Sequence, residues 1–535
     1  MAEEERIKYA FKRWDALKEK RKPWEAAWEK SAELCAVNSK IYMRDKSGRI
    51  VSKLFDSTAR NDLIMFTSAM KTLLAPSNQR YQRIKPSRPE LEEDDETRAF
   101  VEHVNNLIFK FRYAAGSTFS SEADILLNQI GMFGQAPWYV EDNVGKGILY
   151  RTFPMKEVWC AANRANKVDT VYRAYEISLR QAIKEFGDRA TAKMRERFER
   201  QPDAPIRLLH IVEPREDRNP KRLDYTGMPF VSWHINLDDK EIIYEGGYRT
   251  QPYQVPHYLG NPGEVYCGSP ALQAMNDILT INEMSKTVLR SGQLQANPAI
   301  LTAGNVANAQ RAAMAGAIVP GGLDSSGRAL VAPMQYANNL SITLELQNQV
   351  RETIDRAFLK PFFMALSQNQ NRQMTAEEAR IINAEVSQLL APMGERLSNE
   401  WLVGTVEREV DIIRSYGLLD DVPDSLMYEG SLQVEFESPM IRMQQSGEIK
   451  GLMETLESAI SLSQVDPSVL DRIDMGEALD VIANYKGVPT RVMRSKEQIE
   501  AMGAARAQAE QAQQLLQAAP VLSQSMKNIS QAGIQ

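Results

Sequence analysis

The sequence predicts an α+β fold in which a strand-containing first half is followed by long helices. Residues 1 to about 130 have mainly helical patterns. Beyond Ser269, apolar residues recur mostly at helical spacing, and two of the resulting helices are long. Between these regions, short apolar and aromatic runs bounded by turn residues predict strands at Trp138 to Val140, Ile148 to Tyr150, Leu208 to Val212, Phe230 to Ile235 and Glu241 to Tyr248.

The first long helix is predicted to start at Ser269. Serine is a favourable N-cap residue, and Pro270 takes the first helical position, where its missing N–H group is not needed. The pair Asn297-Pro298 ends the helix. Its apolar stripe is predicted to consist of Leu272, Met275, Leu279, Met284 and Val288.

The second long helix is predicted from about Asn338 to Leu366, a length of roughly 40 Å. Pro361 lies inside it, so a kink is expected, because proline removes a backbone donor and clashes with the carbonyl of Ala357. The other faces are polar, so the helix needs neighbours on several sides, which copies of itself in a ring would supply. Its apolar ridge, whose four-residue spacing favours oblique helix crossing, is Leu346, Val350, Ile354, Phe358 and Phe362.

Local signals predict several shorter elements. Residues 143–147 have the composition of a hairpin loop, and residues 237–240 form a turn. A helix from Ser178 to Phe186 ends at Gly187. The acidic segment from Arg88 to Glu96 leads into a helix that carries Val101, Val104, Leu107 and Ile108.

The C-terminal part is predicted to be helical around one strand, Leu432 to Phe436. A helix from Leu397 to Tyr416 ends at Gly417. The pair Ser495 and Gln498 forms a capping box that opens a last, Ala/Gln-rich helix. Two further helices are marked by Ile449, Leu452, Met453, Leu456 and Ile460, and by Asp466-Pro467 followed by Leu470, Ile473, Leu479 and Ile482.

Composition indicates a large soluble assembly subunit. A length of 535 residues favours more than one domain, and the 43% hydrophobic and 25% charged fractions are ordinary for globular chains. No apolar run approaches the ~18 residues of a membrane helix, so no membrane partner is expected. The cysteines Cys35, Cys160 and Cys267 are spread out and odd in number, which favours reduced thiols.

The chain offers no catalytic, cofactor-binding or metal site, so we expect a protein that is not an enzyme. The four histidines are not paired at metal-ligand spacing. Gly145-Lys146 lacks the upstream glycine and the following Ser or Thr of a phosphate loop, and is read as a hairpin turn. The acids from Glu92 to Glu96 splay around a helix start, where negative charge is favourable without a metal.

A set of short motifs carries a resemblance to a known family. The motifs, in order, are Trp24-Glu25 with Trp28 and Ala32 to Leu34, Phe55 to Ala59, Leu73 to Pro76, Gly131 to Gly134 before Val140 to Asp142, Phe153-Pro154 before Glu157, Tyr266 to Ala271, the Asn282 helix, Asn297-Pro298, Pro320 to Gly322, and Met374 to Arg380 with Glu385. With these motifs the chain resembles the portal, or head-to-tail connector, of short-tailed podophages over roughly residues 5 to 490. It departs from the family at Cys267-Gly268-Ser269, where a Gly-Arg-Gly run is more frequent.

The resemblance implies a division of the chain into named parts. Two stem helices carry a clip between them and a tunnel loop after them, and a wing, a crown and a barrel-like C-terminal helix or disordered tail complete the fold. The implied ranges are wing 1–265, first stem helix 266–297, clip 298–337, second stem helix 338–366, tunnel loop 367–374, C-terminal wing 375–440, crown 441–490 and tail 491–535.

The resemblance also implies partners and a location. It implies a dodecameric ring at one capsid vertex of the virion, assembled in the host cytoplasm, with double-stranded viral DNA in the channel. The implied protein partners are the terminase during packaging, tail adaptor and nozzle proteins, and the major capsid, scaffold and internal core proteins. Because the chain has no nucleotide site, the packaging motor would be another protein.

Two segments are predicted to contact these partners. The tunnel loop would face the bore, where amide side chains make weaker phosphate contacts than lysines; it comprises Ser367, Gln368, Asn369, Gln370, Asn371, Arg372, Gln373 and Met374. The clip would dock terminase and later the tail through Ala312, Gly316, Ile318, Val319 and Pro320. The residues alone also allow a plain surface loop and a linker at these two places.

Two alternatives stay open at the level of sequence. One is a virion or scaffold protein whose long helices associate without a channel. The other is a metal-dependent nucleic-acid-processing enzyme that uses the acids from Glu92 to Glu96. The net charge of −6 favours a conduit through which DNA slides over a protein that grips DNA, although mild acidity is also ordinary for soluble proteins.

Overall fold

The computed structural model divides the chain into two compact units. The first unit comprises Met1–Pro76 and Arg112–Asp411, and the second comprises Ser77–Phe111 and Ile412–Gln535. Residues 77–111, which the family resemblance assigned to the wing, therefore lie in the second unit. The residues that the structure describes are 3–36, 54–92, 94–143, 145–260, 263–302, 320, 323–334, 340–368, 390–419, 421–429, 432–436, 439–463, 466–486, 499, 502–503 and 508.

The α+β class is confirmed by the order of the helices and strands. The helices are α1 Glu3–Cys35, α2 Thr58–Leu74, α3 Asp95–Arg112, α4 Phe119–Phe133, α5 Leu179–Phe186, α6 Ala192–Arg200, α7 Pro270–Gln273, α8 Met275–Ala296, α9 Leu340–Ala357, α10 Lys360–Gln368, α11 Gly404–Ser415, α12 Asp424–Glu429, α13 Pro439–Ser463 and α14 Met475–Lys486. The strands are β1 Gln82–Pro86, β2 Trp138–Asn143, β3 Gly147–Thr152, β4 Val158–Ala162, β5 Val168–Ser178, β6 Pro205–Pro214, β7 Phe230–Asn236, β8 Glu241–Tyr248, β9 Tyr253–Gln254, β10 Ile300–Thr302, β11 Val331–Pro333 and β12 Leu432–Phe436.

An antiparallel sheet in the order β4-β5-β6-β7-β8 is the framework of the first unit. The predictions of β6, β7 and β8 are confirmed, and so is the helix after Ser178, whose side chain forms a capping box with Gln181. Strands β4 and β5 were not predicted. Charged residues interrupt β5, and one of them, Arg173, is accommodated by an ion pair with Glu157 at 3.2 Å, a contact that the local pattern does not contain.

The two faces of this sheet bury alternate residues of the same strands, as a strand repeat of two requires. Helix α1 covers one face, where Leu209 and Ile211 of β6 join its Leu17. Helices α5 and α6 cover the other face, where Ile206 and Leu208 are buried. His210, which follows in the same even-numbered series, therefore lies on the face of α5.

A second sheet, in the order β3-β2-β9, packs beside the first. The predicted hairpin between β2 and β3 is confirmed, with Lys146 N donating to Asn143 O at 2.7 Å and Gly145 at a positive φ of 75°. Gly145-Lys146 is thus a turn, as expected. Phe119 lies at the centre of an aromatic cluster with Trp138, Tyr150 and Trp401.

A fully buried ion pair joins distant parts of the first unit. The Arg112 guanidinium donates to both carboxylate oxygens of Glu409 at 2.7 Å, and both side chains have 0% exposure. The Tyr150 hydroxyl donates to the same carboxylate at 2.6 Å. Since the carboxylate has partners on both oxygens, the charge is balanced inside the core.

The second unit contains a two-stranded antiparallel sheet of β1 and β12 next to α3. The side chain of Asn105 on α3 accepts from Ile84 N and donates to Ile84 O, so it fixes the β1 backbone. The strand at Leu432–Phe436 was predicted, but its partner β1 was not. The acidic segment before α3 caps that helix, because Asp94 accepts hydrogen bonds from the backbone and the hydroxyl of Thr97.

Two predicted helices are divided in the structure. The helix predicted from Leu397 to Tyr416 contains a π-helical turn at Ser398–Val403 before α11. The helix predicted after Asp466-Pro467 is a 3-10 segment, Pro467–Arg472, followed by α14. Asp474 separates them because its carboxylate accepts from Gly476 N and Glu477 N and so caps a new helix. The capping pair Ser495 and Gln498 lies outside the described residues.

We predict that Glu409→Gln lowers the stability of the protein by about 3–5 kcal/mol, because it leaves the buried Arg112 charge without its counterion. Thermal and urea unfolding measure this loss. Glu407→Gln, an exposed position on the same helix, is the control and should change stability by less than about 0.5 kcal/mol. Equal effects of the two substitutions would contradict the assignment.

Candidate functional site

The first stem helix starts at a junction between two of the family-like motifs. Ser269 Oγ accepts from Leu272 N at 3.0 Å, which confirms the predicted N-cap, and it donates to Met132 O at 2.9 Å. Cys267 Sγ donates to Gly134 O at 3.0 Å. Gly134 has a φ of 85°, and a Cβ there would lie 2.5 Å from Gly268 O. The junction therefore requires glycine at position 134 and a small polar residue at position 269.

The three cysteines are free and buried, as expected from their number and spacing. Burial raises the pKa of the Cys267 thiol to about 11. It therefore stays a neutral hydrogen-bond donor within this junction.

The first stem helix buries a different stripe from the one predicted. It is interrupted at Ala274, between α7 and α8, and ends at Ala296 as expected. Leu279 of the predicted stripe is 37% exposed. The buried positions on α8 are Ile278, Ile281, Asn282 and Ser285. Because two of these four side chains are polar, an apolar pattern alone selects the wrong face.

The second stem helix is two helices, which corrects the prediction of one kinked helix from 338 to 366. Helix α9 ends at Ala357 and α10 begins at Lys360. Leu359 between them has a φ of 60°, and its carbonyl accepts from the backbone N–H groups of Phe362 and Phe363. Pro361 thus occupies the first turn of a new helix, where no backbone donor is needed. Proline therefore has a stronger effect than the expected kink, because it divides the helix in two.

Within a single chain, the predicted apolar ridge of the second stem helix is buried only in its C-terminal part. Ile354 and Phe358 are fully buried, and Val350 and Phe362 are half-buried. Leu346 is 48% exposed, whereas the neighbouring Gln347 is 2% exposed. The N-terminal part of α9 therefore presents apolar surface that the chain itself does not cover.

A polar cluster fixes both stem helices to the segment before α2. Arg351 on α9 donates to Asp56 Oδ2 at 2.9 Å. Ser285 on α8 donates to the same oxygen at 3.4 Å, and Gln347 donates to the Ser285 hydroxyl at 3.4 Å. On α8, Asn282 Oδ1 accepts from the backbone N–H of Phe55 at 2.7 Å. These contacts explain why polar residues occupy the buried face of α8.

Asp56 is held in its ionised form at this cluster. Burial acts to raise the pKa of its carboxyl, but hydrogen bonds from Thr58 and Arg351 outweigh burial, and the pKa lies below its usual value. The ion pair with Arg351 is therefore retained at neutral pH.

A second cluster lies where the second stem helix is broken. Lys360 Nζ donates to Asp62 Oδ1 on α2 and to Asp355 Oδ1 on α9, each at 2.9 Å. Asp62 is 1% exposed, and its other oxygen has no hydrogen-bond partner within the described residues. Burial, together with the neighbouring Asp355 carboxyl, raises the pKa of Asp62 to about 7. We call this group the Lys360 cluster.

The tunnel loop and the clip are described only at their ends. Ser367 and Gln368 are the last residues of α10, and Asn369, Gln370, Asn371, Arg372, Gln373 and Met374 lie outside the described residues. The clip begins and ends in the antiparallel pair β10 and β11, in which Ile300 faces Pro333. Pro320 is an exposed turn residue, and Ala312, Gly316, Ile318 and Val319 lie outside the described residues.

The described clip residues present apolar side chains to solvent. Leu301, Leu323 and Met334 are 56%, 64% and 43% exposed. Between Leu323 and β11, Asp324 accepts from the backbone N–H groups of Ser326 and Arg328, both at 2.8 Å, which holds a tight turn. The described part of the clip is thus an ordered turn with uncovered apolar residues.

Nothing in the described part of the chain supports a metal site or a membrane segment. No group of three or more His, Cys, Asp or Glu residues among the described residues is placed to hold a metal ion. None of the described helices is long and apolar enough to cross a membrane. Asp94 of the acidic segment is used as a helix cap.

Comparison with known proteins decides the family. The model of the bacteriophage head to tail connecting protein family matches residues 8–493. The chain belongs to this family. Within it, the chain is 25% identical over 528 residues to the probable portal protein of Bordetella phage BPP-1, covering 96% of this chain and 93% of the relative. It is 23% identical over 549 residues to the portal protein of Salmonella phage epsilon15, covering 99% and 96%.

Among solved structures, this head to tail connecting protein is similar to a chain from the neck of an empty GTA particle. The TM-score is 0.38 at 12% sequence identity, with 78% of this chain and 90% of that chain covered.

The sequence predicted the long helices α8 and α9 but not the two clusters that hold them. Asp56 lies in the Phe55 to Ala59 motif, to which no role was assigned, and Asp62 and Lys360 were not selected. The one available signal was Lys360 directly before Pro361, five residues after Asp355. The partner on α2 was not visible, because it lies almost 300 positions earlier in the chain.

We predict that Asp62→Asn reduces the pH dependence of stability. Asp62 has a raised pKa of about 7 in the folded state against ~3.9 when unfolded, so its contribution is complete below about pH 4 and is lost as pH rises through 7. Asparagine resembles the protonated side chain and does not titrate. Between pH 5 and 8, the stability of the variant should therefore fall by on the order of 1 kcal/mol less than that of wild type.

The measurement is thermal unfolding over that pH range. Asp203→Asn is the control, because Asp203 is 76% exposed and should leave the wild-type pH profile unchanged. Parallel stability curves for wild type and Asp62→Asn would show that Asp62 titrates normally.

Proposed function

We propose that this chain is a portal subunit, which forms the ring-shaped channel at one capsid vertex through which viral DNA is packaged and ejected. The proposal rests on the family match over residues 8–493 and on two relatives described as portal proteins, which align with nearly the whole chain. In this role the protein is a virion component and a passive conduit without catalytic activity of its own.

The structural observation that supports a ring is the uncovered apolar surface of the stem. Leu289 on α8 is 54% exposed, and Leu346 and Leu344 on α9 are both 48% exposed. Exposed apolar surface along a helix pair marks an interaction site, since each buried leucine contributes ~1.5–3 kcal/mol. Closed rings are the common outcome when one surface of a subunit binds a different surface of its neighbour. We propose a dodecamer.

The DNA-facing part of the ring is proposed to be the tunnel loop, Ser367 to Met374. The Lys360 cluster fixes the start of α10 on α2, and the loop follows directly from the end of α10. Arg372 is the single charge among five amide side chains, so a ring of subunits would carry one belt of positive charge. Such a belt attracts phosphate while leaving the contacts exchangeable.

The clip is proposed to be the docking platform for terminase during packaging and for the tail adaptor and nozzle proteins afterwards. The exposed Leu301, Leu323 and Met334 support it, because they offer apolar surface at the end of the stem. The wing and crown are proposed to meet the capsid, scaffold and internal core proteins.

We expect the purified protein to form closed rings, with Leu346 between subunits. Leu346→Glu would place a charge in that contact and should raise the concentration needed for assembly by roughly tenfold or more. Sedimentation velocity and negative-stain images measure it. Leu223→Glu, at a loop residue that is 94% exposed, is the matched control and should assemble normally. A wild-type protein that stays monomeric or dimeric at micromolar concentration would contradict the ring.

Arg372→Glu should leave ring formation unchanged and lower the yield of full-length packaged genome by at least several-fold. The substitution converts the proposed positive belt into one that repels phosphate, an effect partly screened over a Debye length of about 8 Å. Nuclease-protected DNA in particles built with the variant is the measurement. Arg200→Glu, an exposed position on α6, is the control. Protected genomes at wild-type yield from Arg372→Glu particles would remove the loop from the proposed mechanism.

A further inference from the structure

The first unit contains a cavity of about 190 Å³ that the channel function does not use. It lies between the β2-β3 hairpin, the α5 face of the large sheet and α5 itself. Its lining combines aromatic rings, arginines and glutamates. A concave site with a few convergent polar groups is the usual form of a small-molecule site.

A stacked pair of histidines forms the inner wall of this cavity. The rings of His210 and His234 are 4.1 Å apart and 13° from parallel, because the two residues face each other in the register of β6 and β7. Both nitrogens of His210 are satisfied, by the Tyr253 hydroxyl at 2.9 Å and by the Ser232 hydroxyl at 3.0 Å. His234 Nδ1 is buried and has no hydrogen-bond partner among the described residues.

An unpaired buried nitrogen costs about 1–3 kcal/mol, so its presence on a cavity wall points to an occupant that binds it. Burial lowers the pKa of His234 to about 3, and the nearby Arg173 acts in the same direction. The ring is therefore neutral at physiological pH and offers a hydrogen bond without a charge.

Two arginines line the cavity without a hydrogen bond or ion pair among the described residues. Arg189 stacks on the Tyr244 ring at 4.1 Å, and Arg151 lies 5.2 Å from the Phe153 ring. Both are exposed to solvent and line the cavity. Arg173 differs, because its guanidinium is paired with Glu157. The cavity thus has two cations available to an anionic group.

Two glutamates, Glu141 and Glu185, also line the cavity. Burial raises the pKa of Glu185, although Arg173 and Arg151 act in the opposite direction. No hydrogen bond to Glu185 is formed by the described residues. The Glu185 carboxylate can accept a hydrogen bond from an N–H group of a ligand. An aromatic acid without an N–H group could not make this contact.

We propose that this cavity binds a nucleoside monophosphate, with the base inside and the phosphate between Arg151 and Arg189. A flat base fits against the histidine and tyrosine rings, and guanidinium groups pair readily with phosphate. The exocyclic amine of the base donates to Glu185, and a ring nitrogen pairs with His234 Nδ1. The volume is below the ~300–1,000 Å³ of sites for drug-sized ligands, which agrees with a single base enclosed and its phosphate outside.

The same chemistry is offered by a free nucleotide and by the terminal nucleotide of a DNA strand. Calorimetric titration of the full-length assembled protein with deoxyadenosine monophosphate, deoxyadenosine, inorganic phosphate and a 5′-phosphorylated oligonucleotide distinguishes the two sources. We expect the monophosphate to bind at least roughly tenfold more tightly than either the nucleoside or phosphate alone. If only the oligonucleotide binds, and loses affinity in the variants below, the terminal nucleotide is the ligand.

Contacts to the base and contacts to the phosphate are tested separately. Thymidine monophosphate lacks an exocyclic amine and should bind several-fold more weakly than the adenine, guanine and cytosine monophosphates. Arg189→Gln should weaken binding by roughly tenfold or more, since a hydrogen bond to a charged group is lost. Arg200→Gln removes another exposed charge, from α6 outside the cavity, and should have no effect.

His234→Phe keeps the ring stack and removes the orphan nitrogen, so it should weaken binding while leaving the melting temperature equal or higher. No binding of any nucleotide at millimolar concentration, or equal affinities in wild type, Arg189→Gln and Arg200→Gln, would overturn the proposal.

Discussion

Pro361 is the constraint that divides the predicted second stem helix and decides where α10 begins. A continuous helix would require a backbone donor that proline lacks and would drive its ring into the carbonyl of Ala357. The chain resolves this by ending α9, adopting a left-handed residue at Leu359 and starting α10. Lys360 then holds the new helix by bonding to Asp62 and Asp355 at 2.9 Å. The direction of α10, which leads into the proposed tunnel loop, follows from these contacts.

Both predicted stem helices are held by polar contacts as well as by apolar burial. Asp56 and the Lys360 cluster tie α8, α9 and α10 to the region of α2, and the buried face of α8 includes Asn282 and Ser285. Buried charge pairs contribute little net stability compared with apolar packing, but breaking one is costly, so they favour one arrangement over its alternatives. Leu344 and Leu346 of α9, both 48% exposed, remain available for contacts outside the chain.

The large sheet of the first unit shows the opposite condition, a set of polar groups at one cavity that form no hydrogen bond or ion pair with the described residues. Within one cavity, His234 Nδ1, Glu185 and two arginines line the same space, while Arg112 and Glu409 elsewhere in the same unit form a bidentate ion pair. Because buried polar groups are normally paired, the orphan nitrogen of His234 makes this cavity a candidate for ligand binding. The exposed side chains of Glu185, Arg151 and Arg189 at the same cavity are accessible to a ligand.

The sequence by itself determined the fold class, the family resemblance and the features that a few neighbouring residues encode. The Ser269 cap, the β2-β3 turn and the Ser178 capping box are examples, since each depends on contacts within about five positions. Only the tertiary structure decided the pairing of β1 with β12, the buried face of α8, the stacking of His210 on His234 and the Asp62–Lys360 contact. Their partners lie far apart in the chain, and most are polar side chains, for which apolar periodicity carries no information.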